Sequence, residues 1–524
     1  MGLGFALRLT GLSEYWVNPD EGIYYSTLTR VSSREFWAEV MANAHPPAFY
    51  VLLRGLGALT WDFVWLRGAS VIFGTVAIWI FWLVGREVGG KGWAGCASGL
   101  VAAGLLAVNG EAIVLSQVLR PYMLLVALLG AALYHLLRYR EEPTDRHLVA
   151  YVVFTSLALL SHYSAALGFG VFLSLAAYYH LTESIDPRSS RRLAIASAIP
   201  AVCFLALFLL HLRASMNSYM IYLALAPDGW LSEWLVASPA DVWKSLVTFQ
   251  TFQLPGAFRA RSAILLLAAV CVSAFSRDRR VSVLTGGALL LAVLASYAGL
   301  YPLGPTRHNA WLVVFTFPAV GWLVGRVVDR GRVAALVASG AVVGALILGG
   351  PIETALGGYP PAGSTAEERA IRRDDLQPFL VERLGPTGEH RIVLMSFQTF
   401  NLLMPLYATE RQELIAGSRP DVFAFPYGSR DVVVVGQWDW AAWADVGVVI
   451  NALPTRLPSI AGNRPDEILL VAGGWESNLF GEALQVGSNG WYGDVTVVSG
   501  TDLLGRPVTR LMAFDLDVST LLGL

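Results

Sequence analysis

Three cysteines in 524 residues, Cys96, Cys203 and Cys271, all lie inside apolar runs, which excludes a disulfide framework and a cysteine-based metal site. They read as packing residues. Charge is also scarce: 15% of residues are charged and the net charge is −2, so no basic surface argues for nucleic acid. The chain has no glycine-rich phosphate loop, no internal repeat and no low-complexity tract. Its first residues, MGLGFALRLTGL, have no small-residue cleavage site after an apolar core and do not read as a signal peptide. What is abundant is apolar: 55% of the chain is hydrophobic and the mean hydropathy is +0.54. Runs of about 15 to 22 apolar residues recur along it, the signature of a polytopic membrane protein.

Ten spans are expected, near residues 66–85, 93–109, 121–138, 148–162, 164–181, 193–212, 262–276, 281–300, 308–325 and 333–350. Alternate connections hold Arg86 and Lys91; Arg138, Arg140 and Arg146; Arg188, Arg191 and Arg192; Arg277, Arg279 and Arg280; and Arg326, Arg330 and Arg332. That is fourteen cations, against six in the intervening connections, most of the six in one long loop near 213–261. The positive-inside rule makes the first set cytoplasmic. The loop carrying Asp20, the long loop and everything after residue 350 are then expected outside. The apolar stretch 46–59 must not cross for this parity to hold, and its roughly 21 Å of helix falls short of a roughly 30 Å core. An outer loop at residue 20 needs a preceding span, yet the first twelve residues include Arg8; a truncated or short partial first helix is expected there.

After residue 350 the composition changes. GGYPPAGSTAEERAIRRDD reads as a linker running into a helix, and the runs RIVLM, DVVVV, VGVVI, EILLV and DVTVV read as buried strands of a small α/β domain. The expected division is 1–350, a membrane module of about 10–11 spans with an outer loop at 13–60, and 351–524, a soluble α/β domain outside.

Five stretches hold candidate chemistry. In NPDEGIYY, Asn18 can cap a helix with Pro19 at its first position and Glu21 closing a capping box. Alternatively Asp20 is a general base near the membrane surface, with Tyr24 one helical turn on. NAHPPAFY brings His45 onto the same outer loop, either as a packing residue or as part of a site. SQVLRPYMLL sets Arg120 just outside a span, where it either snorkels to headgroups or holds a phosphate, followed by Tyr122. LLSHYSAAL places His162 and Tyr163 at a tight turn between spans. GPTRHNAWL places Arg307 and His308 at another span boundary. Together they gather acids, arginines, histidines and tyrosines on one expected face.

The order PDEGIYY, HPPAFY, GREVGG, LRPYMLL, SHYSAAL resembles the membrane glycosyltransferases of the C superfold, in the branch of protein O-mannosyltransferases and lipid A aminoarabinose transferases. The likeness covers roughly residues 10 to 325. It implies a mainly helical polytopic fold of glycosyltransferase C type and a sugar donor carried on polyprenyl phosphate. It implies an extracytoplasmic acceptor of protein, lipid or envelope glycan. Asp20 matches the family's catalytic aspartate and Glu21 its neighbouring acid. His45 stands where relatives have histidine or lysine before two prolines, and Arg120 with Tyr122 matches an arginine–tyrosine pair at the outer end of a span. His162 with Tyr163 matches a histidine–tyrosine turn, and Arg307, beside His308, resembles a basic residue near the donor phosphate. The chain departs from the pattern at its N-terminus, where a complete first span is expected.

The implied reaction is a single, inverting displacement at the bilayer surface, with no nucleotide cofactor. A divalent metal between carboxylates and phosphate is left open. Two rival readings stand beside it. One is a lipid or solute transporter, against which the spans lack charged residues at mid-helix. The other is a membrane anchor for an outer binding domain, in which Trp438, Trp440 and Trp443 either stack on sugar rings or fill a core.

Overall fold

A computed structural model describes residues 1–29, 32–43, 45–213, 232–248, 259–276, 279–304, 306–330, 373–387, 392–407, 422–435, 468–473, 492–501 and 507–516. The expected span 333–350, the linker after it, the strand VGVVI and the tryptophans at 438, 440 and 443 lie outside these residues. The described chain is mainly helical with one mixed sheet, as its composition and motif order led one to expect. It divides into two compact units, the first formed by Met1–Leu12, Asn43–Val51 and Arg67–Ala366, the second by Ser13–Ala42, Leu52–Leu66 and Glu367–Leu524.

The first unit is a bundle. Its helices include α1 (Gly2–Leu9), then, numbering along the chain, α5 (Phe63–Gly89), α6 (Gly92–Val108), α7 (Gly110–Ser116), α8 (Tyr122–Glu141), α9 (Asp145–Ser161), α10 (Ala165–Leu181) and α11 (Pro187–Leu207). Further along lie Pro239–Thr248, Arg259–Ala274, Gly287–Tyr297 and Val313–Arg330. Among the described residues four helices are long and apolar enough to cross a membrane, Phe63–Gly89, Tyr122–Glu141, Pro187–Leu212 and Arg307–Val328, and the bent pair α6 and α7 counts as a fifth where the pair is taken as one span. The chain is therefore an integral membrane protein. The stretch around residue 50 forms α4 (Ala48–Gly57), ten residues long, or about 15 Å, well short of a span. Hydropathy located apolar centres better than ends. The helix expected from residue 193 begins at Pro187 because Asp186 caps it, accepting from the backbone N–H groups of Arg188 and Ser189.

Two features hold the bundle close. Gly321 and Gly325, spaced as a GxxxG pair, face α6 so tightly that a Cβ would stand 2.3 Å from the Ser98 carbonyl oxygen and 2.7 Å from that of Ala94. The 62° break between α6 and α7 is satisfied from the N-terminal helix. Arg8, fully buried, donates to the carbonyls of Leu106 (2.9 Å) and Ala107 (3.1 Å) and to Ser116 Oγ (3.0 Å). A charged donor thus supplies the partners that the broken helix lost. The asparagine at the break, Asn109, caps α7 by accepting from the Ala112 N–H at 2.7 Å.

The second unit is built on a six-stranded sheet of β1 (Ile392–Ser396), β2 (Val422–Tyr427), β3 (Arg430–Val435), β4 (Ile468–Gly473), β5 (Tyr492–Thr501) and β6 (Pro507–Leu516), in the order β2-β3-β1-β4-β6-β5. Its centre is parallel, with β1 between β3 and β4. The edges are antiparallel, with β2 against β3 and β6 between β4 and β5. The sequence expectation located β1, β3, β4 and β5 but not β2, whose VFAFPY carries a proline, nor β6.

The same unit contains α2 (Pro19–Thr29) and α3 (Ser33–Ala42) from the start of the chain. α2 packs on Phe397–Tyr407, the helix following β1. Just before α2, the Trp16 indole N–H donates to the Leu402 carbonyl at 2.7 Å, and the Trp16 ring meets the edge of Phe63 at 5.5 Å. The Arg373 N–H donates to the Glu14 carbonyl at 2.8 Å.

Candidate functional site

The candidate residues fall into two groups, one in each unit. In the second unit, Asn18 is the N-cap of α2. The Glu21 N–H donates to Asn18 Oδ1 at 2.8 Å, and the Asn18 N–H returns a bond to Glu21 Oε2 at 3.2 Å. This is a closed capping box, with Glu21 fully buried. The carboxylate of Glu21 is thereby committed to the helix start, while Asp20, in the same first turn, is only partly buried. Tyr24 lies one turn on, buried, its carbonyl accepting from the Thr27 hydroxyl at 2.7 Å.

In the first unit, four chain-distant segments meet at His162, which sits in the turn between α9 and α10. Its ring centroid lies 5.1 Å from Tyr122, 5.2 Å from His45 and 6.4 Å from His308. Tyr122 opens α8, and its ring also meets that of His308 edge-on at 6.4 Å. Arg120 is buried against it, its guanidinium carbon 5.5 Å from the ring centre and one terminal nitrogen 3.4 Å from the hydroxyl oxygen. The sequence thus named the members of a real cluster: His45, Arg120, Tyr122, His162 and His308, with Arg307 near enough to act on His162 electrostatically.

The protonation of His162 follows from its surroundings. The Ser164 N–H donates to Nδ1 at 3.1 Å, so Nδ1 is the acceptor and a neutral ring carries its proton on Nε2. Burial above all, then the charges of His45, Arg120 and Arg307, holds the imidazole well below its ordinary pKa. The ring is therefore a neutral donor at physiological pH, next to two arginines that stay charged.

Tyr163 is engaged elsewhere: its hydroxyl shares a hydrogen bond with His211 Nδ1, on the π-helical turn Phe208–Leu212 that extends α11. Burial raises the Tyr163 pKa, keeping the phenol protonated.

Three supporting residues escaped the sequence reading. Asn309, fully buried, donates from Nδ2 to the carbonyls of Pro302 (3.1 Å) and Gly304 (2.9 Å), tying the preceding loop to the 3₁₀ turn Arg307–Leu312. Tyr301 donates to the His308 carbonyl and accepts from the Trp311 indole at 3.1 Å. Ser164 sets the His162 tautomer. The signal for Asn309 was its place beside the basic pair; the others gave none. Among the described residues no three His, Cys, Asp or Glu side chains are grouped to hold a metal ion.

No family model matches the chain, and no curated protein matches it. Solved structures do. ArnT from Cupriavidus metallidurans bound to undecaprenyl phosphate is 15% identical, with a TM-score of 0.55 over 98% of this chain and 96% of that one. The same protein in the apo state is 16% identical, with a TM-score of 0.51 over 99% and 97%. Likeness at this identity establishes the fold, and it is the glycosyltransferase C-type fold that the motif order led one to expect.

Proposed function

We propose that this chain is a membrane glycosyltransferase that moves a sugar from a polyprenyl-phosphate carrier to an extracytoplasmic acceptor. The observation that carries the reading is the cluster of buried Arg120, Tyr122 and His162 with the half-buried His45 and His308, and with Arg307 beside it, on a fold whose neighbour ArnT binds undecaprenyl phosphate. Two guanidinium groups and a neutral Nε2–H suit a phosphate: they donate without giving up a proton.

Asp20 is assigned as general base. As the acceptor oxygen or nitrogen bonds to the anomeric carbon, its proton passes to the Asp20 carboxylate. The carbon–oxygen bond to phosphate breaks, and the lipid phosphate leaves with the electron pair. The cations and His162 are assigned to that departing charge. Glu21 serves as the neighbouring acid by closing the capping box that presents Asp20. Inversion at the anomeric carbon is expected from one displacement. Tyr24 and Tyr163 are assigned to substrate binding. Residues 1–350 are read as the membrane module and 351–524 as the domain outside, beside the acceptor.

The test is sugar transfer by the reconstituted protein from a polyprenyl-phosphate-linked donor. Asp20→Asn is expected to insert normally and lose activity by about 10²- to 10⁴-fold. Wild-type transfer by this variant would overturn the assigned base. Lipid or solute translocation in liposomes that is unchanged by the substitution, with no transfer by either protein, would favour a transporter.

A further inference from the structure

At the other end of α8 from Tyr122 the bundle is hollow. A cavity of about 590 Å³ is lined by Arg86, Lys91, Arg138 and Arg280, with Glu87 and Glu141. Tyr122 opens α8 and Arg138 is in its last turn, so about 24 Å of helix separates the cavity from the His162 cluster. It belongs to the arginine-rich end of the bundle, and the proposed transfer reaction does not use it.

Its chemistry favours an anion. The lining holds four cations and two carboxylates; Arg138 is engaged by Glu87 at 3.7 Å and by Glu142 at 3.0 Å, and Glu141 lies 2.7 Å from Arg140, so the positive excess of the cavity comes from Arg86, Lys91 and Arg280. The cavity also receives the N-terminus of α6. Lys91 is its N-cap and makes no side-chain capping bond among the described residues, and Gly92 and Trp93 of the first turn line the cavity. A helix start presents N–H groups and a positive dipole end, a combination that selects phosphate. The approach is made by Gly90 (φ 91°) and Gly92 (φ 69°), left-handed positions that L side chains rarely adopt, so the turn stays open.

The rim is built for lipid. Trp93 is 86% exposed and Leu100 66% exposed, and with the exposed Cys96 they fall on one face of α6 leading away from the cavity. An exposed tryptophan beside cations is the arrangement of a membrane–water interface, and basic pockets between helices at such an interface hold anionic headgroups. The volume falls within the range of small-ligand sites.

We propose that this cavity binds a phosphate group presented at the arginine-rich membrane face, carried by an anionic phospholipid or by a soluble phosphate. The experiment is native mass spectrometry of the full detergent-solubilised chain with phosphatidylglycerol or phosphatidylcholine, together with thermal unfolding in inorganic phosphate.

For a lipid source, phosphatidylglycerol is retained over phosphatidylcholine. Arg86→Gln and Lys91→Gln, both at exposed side chains, each weaken retention about fivefold. Arg191→Gln, an exposed charge on the same face outside the cavity, leaves it unchanged. For a soluble source, inorganic phosphate raises the unfolding temperature of the wild type and not of the two cavity variants, with no preference between lipids. The proposal falls if neither probe binds, or if Arg191→Gln weakens binding as much as the cavity substitutions do. Transfer activity is not the readout, so the result stands apart from the fate of Asp20.

Discussion

Asp20 and Glu21 are adjacent in sequence and differ in burial, Glu21 fully buried and Asp20 partly. The Glu21 carboxylate accepts from the Asn18 N–H while the Glu21 N–H bonds Asn18 Oδ1, so its charge maintains the start of α2. Asn18→Ala is expected to lower stability by about 1 kcal/mol, within the range for lost helix caps, and to reduce transfer only in proportion to folded protein. Asp20→Asn should do the reverse, leaving the unfolding temperature near wild type and removing turnover. Paired unfolding and activity measurements separate the two roles. The capping box was legible in NPDE; that Glu21 is fully buried and Asp20 only partly was not, because both residues satisfy either reading on sequence alone. His162 gives a second prediction, of pH dependence. Its pKa is depressed in the fold by burial and then by His45, Arg120 and Arg307. Below its ordinary value of about 6.5 the unfolded chain binds a proton that the folded chain refuses. This group therefore makes stability rise with pH through that window, and stability is lost on acidification. The unfolding temperature of His162→Gln should fall less than that of the wild type between about pH 7 and about pH 5. Equal falls in the two proteins would mean that His162 is charged in the fold.

Between elements, close approach is set by what is missing from side chains. A Cβ on Gly321 would stand 2.3 Å from the Ser98 carbonyl oxygen of α6, and backbone cannot give way as a flexible side chain does. Gly321→Leu is expected to cost at least the roughly 1–3 kcal/mol of ordinary overpacking, read as a lower unfolding temperature in detergent. Gly287→Ala in the same bundle, where a Cβ meets nothing within 4 Å, should be neutral or slightly favourable. The same scale explains which elements hydropathy found. The spans stood out because apolar runs of that length have no other stable setting. The break between α6 and α7 did not, because it depends on Arg8, a charge about a hundred residues away that hydropathy counts against a membrane segment. Three of the four strands found, β1, β3 and β4, are the parallel centre, whose continuous apolar runs are conspicuous. β2 was hidden by Pro426 on an edge strand.

For the whole molecule, the acid-bearing helix belongs with the C-terminal sheet and not with the spans that follow it in sequence. Arginine counting had put both on one face by parity alone. In the structure α2 packs on Phe397–Tyr407 and the Trp16 indole N–H donates to the Leu402 carbonyl. Charge bias can state a side but not a contact, so nothing legible in the residues hinted that the segment carrying α2 and a sheet beyond residue 390 are one compact unit. The consequence is a labelling pattern. In a background lacking Cys96, Cys203 and Cys271, single cysteines at Ser13 and Glu382, both exposed and both in the second unit, should react alike with a membrane-impermeant maleimide. A cysteine at the exposed Arg188, on the arginine-rich side, should behave oppositely. With intact cells, Ser13→Cys and Glu382→Cys are expected to label and Arg188→Cys to label only after lysis. Opposite behaviour of the first two would break the second unit apart. Joint labelling only after lysis would keep that unit and reverse the orientation, removing Asp20 from the outer face where the proposed reaction needs it.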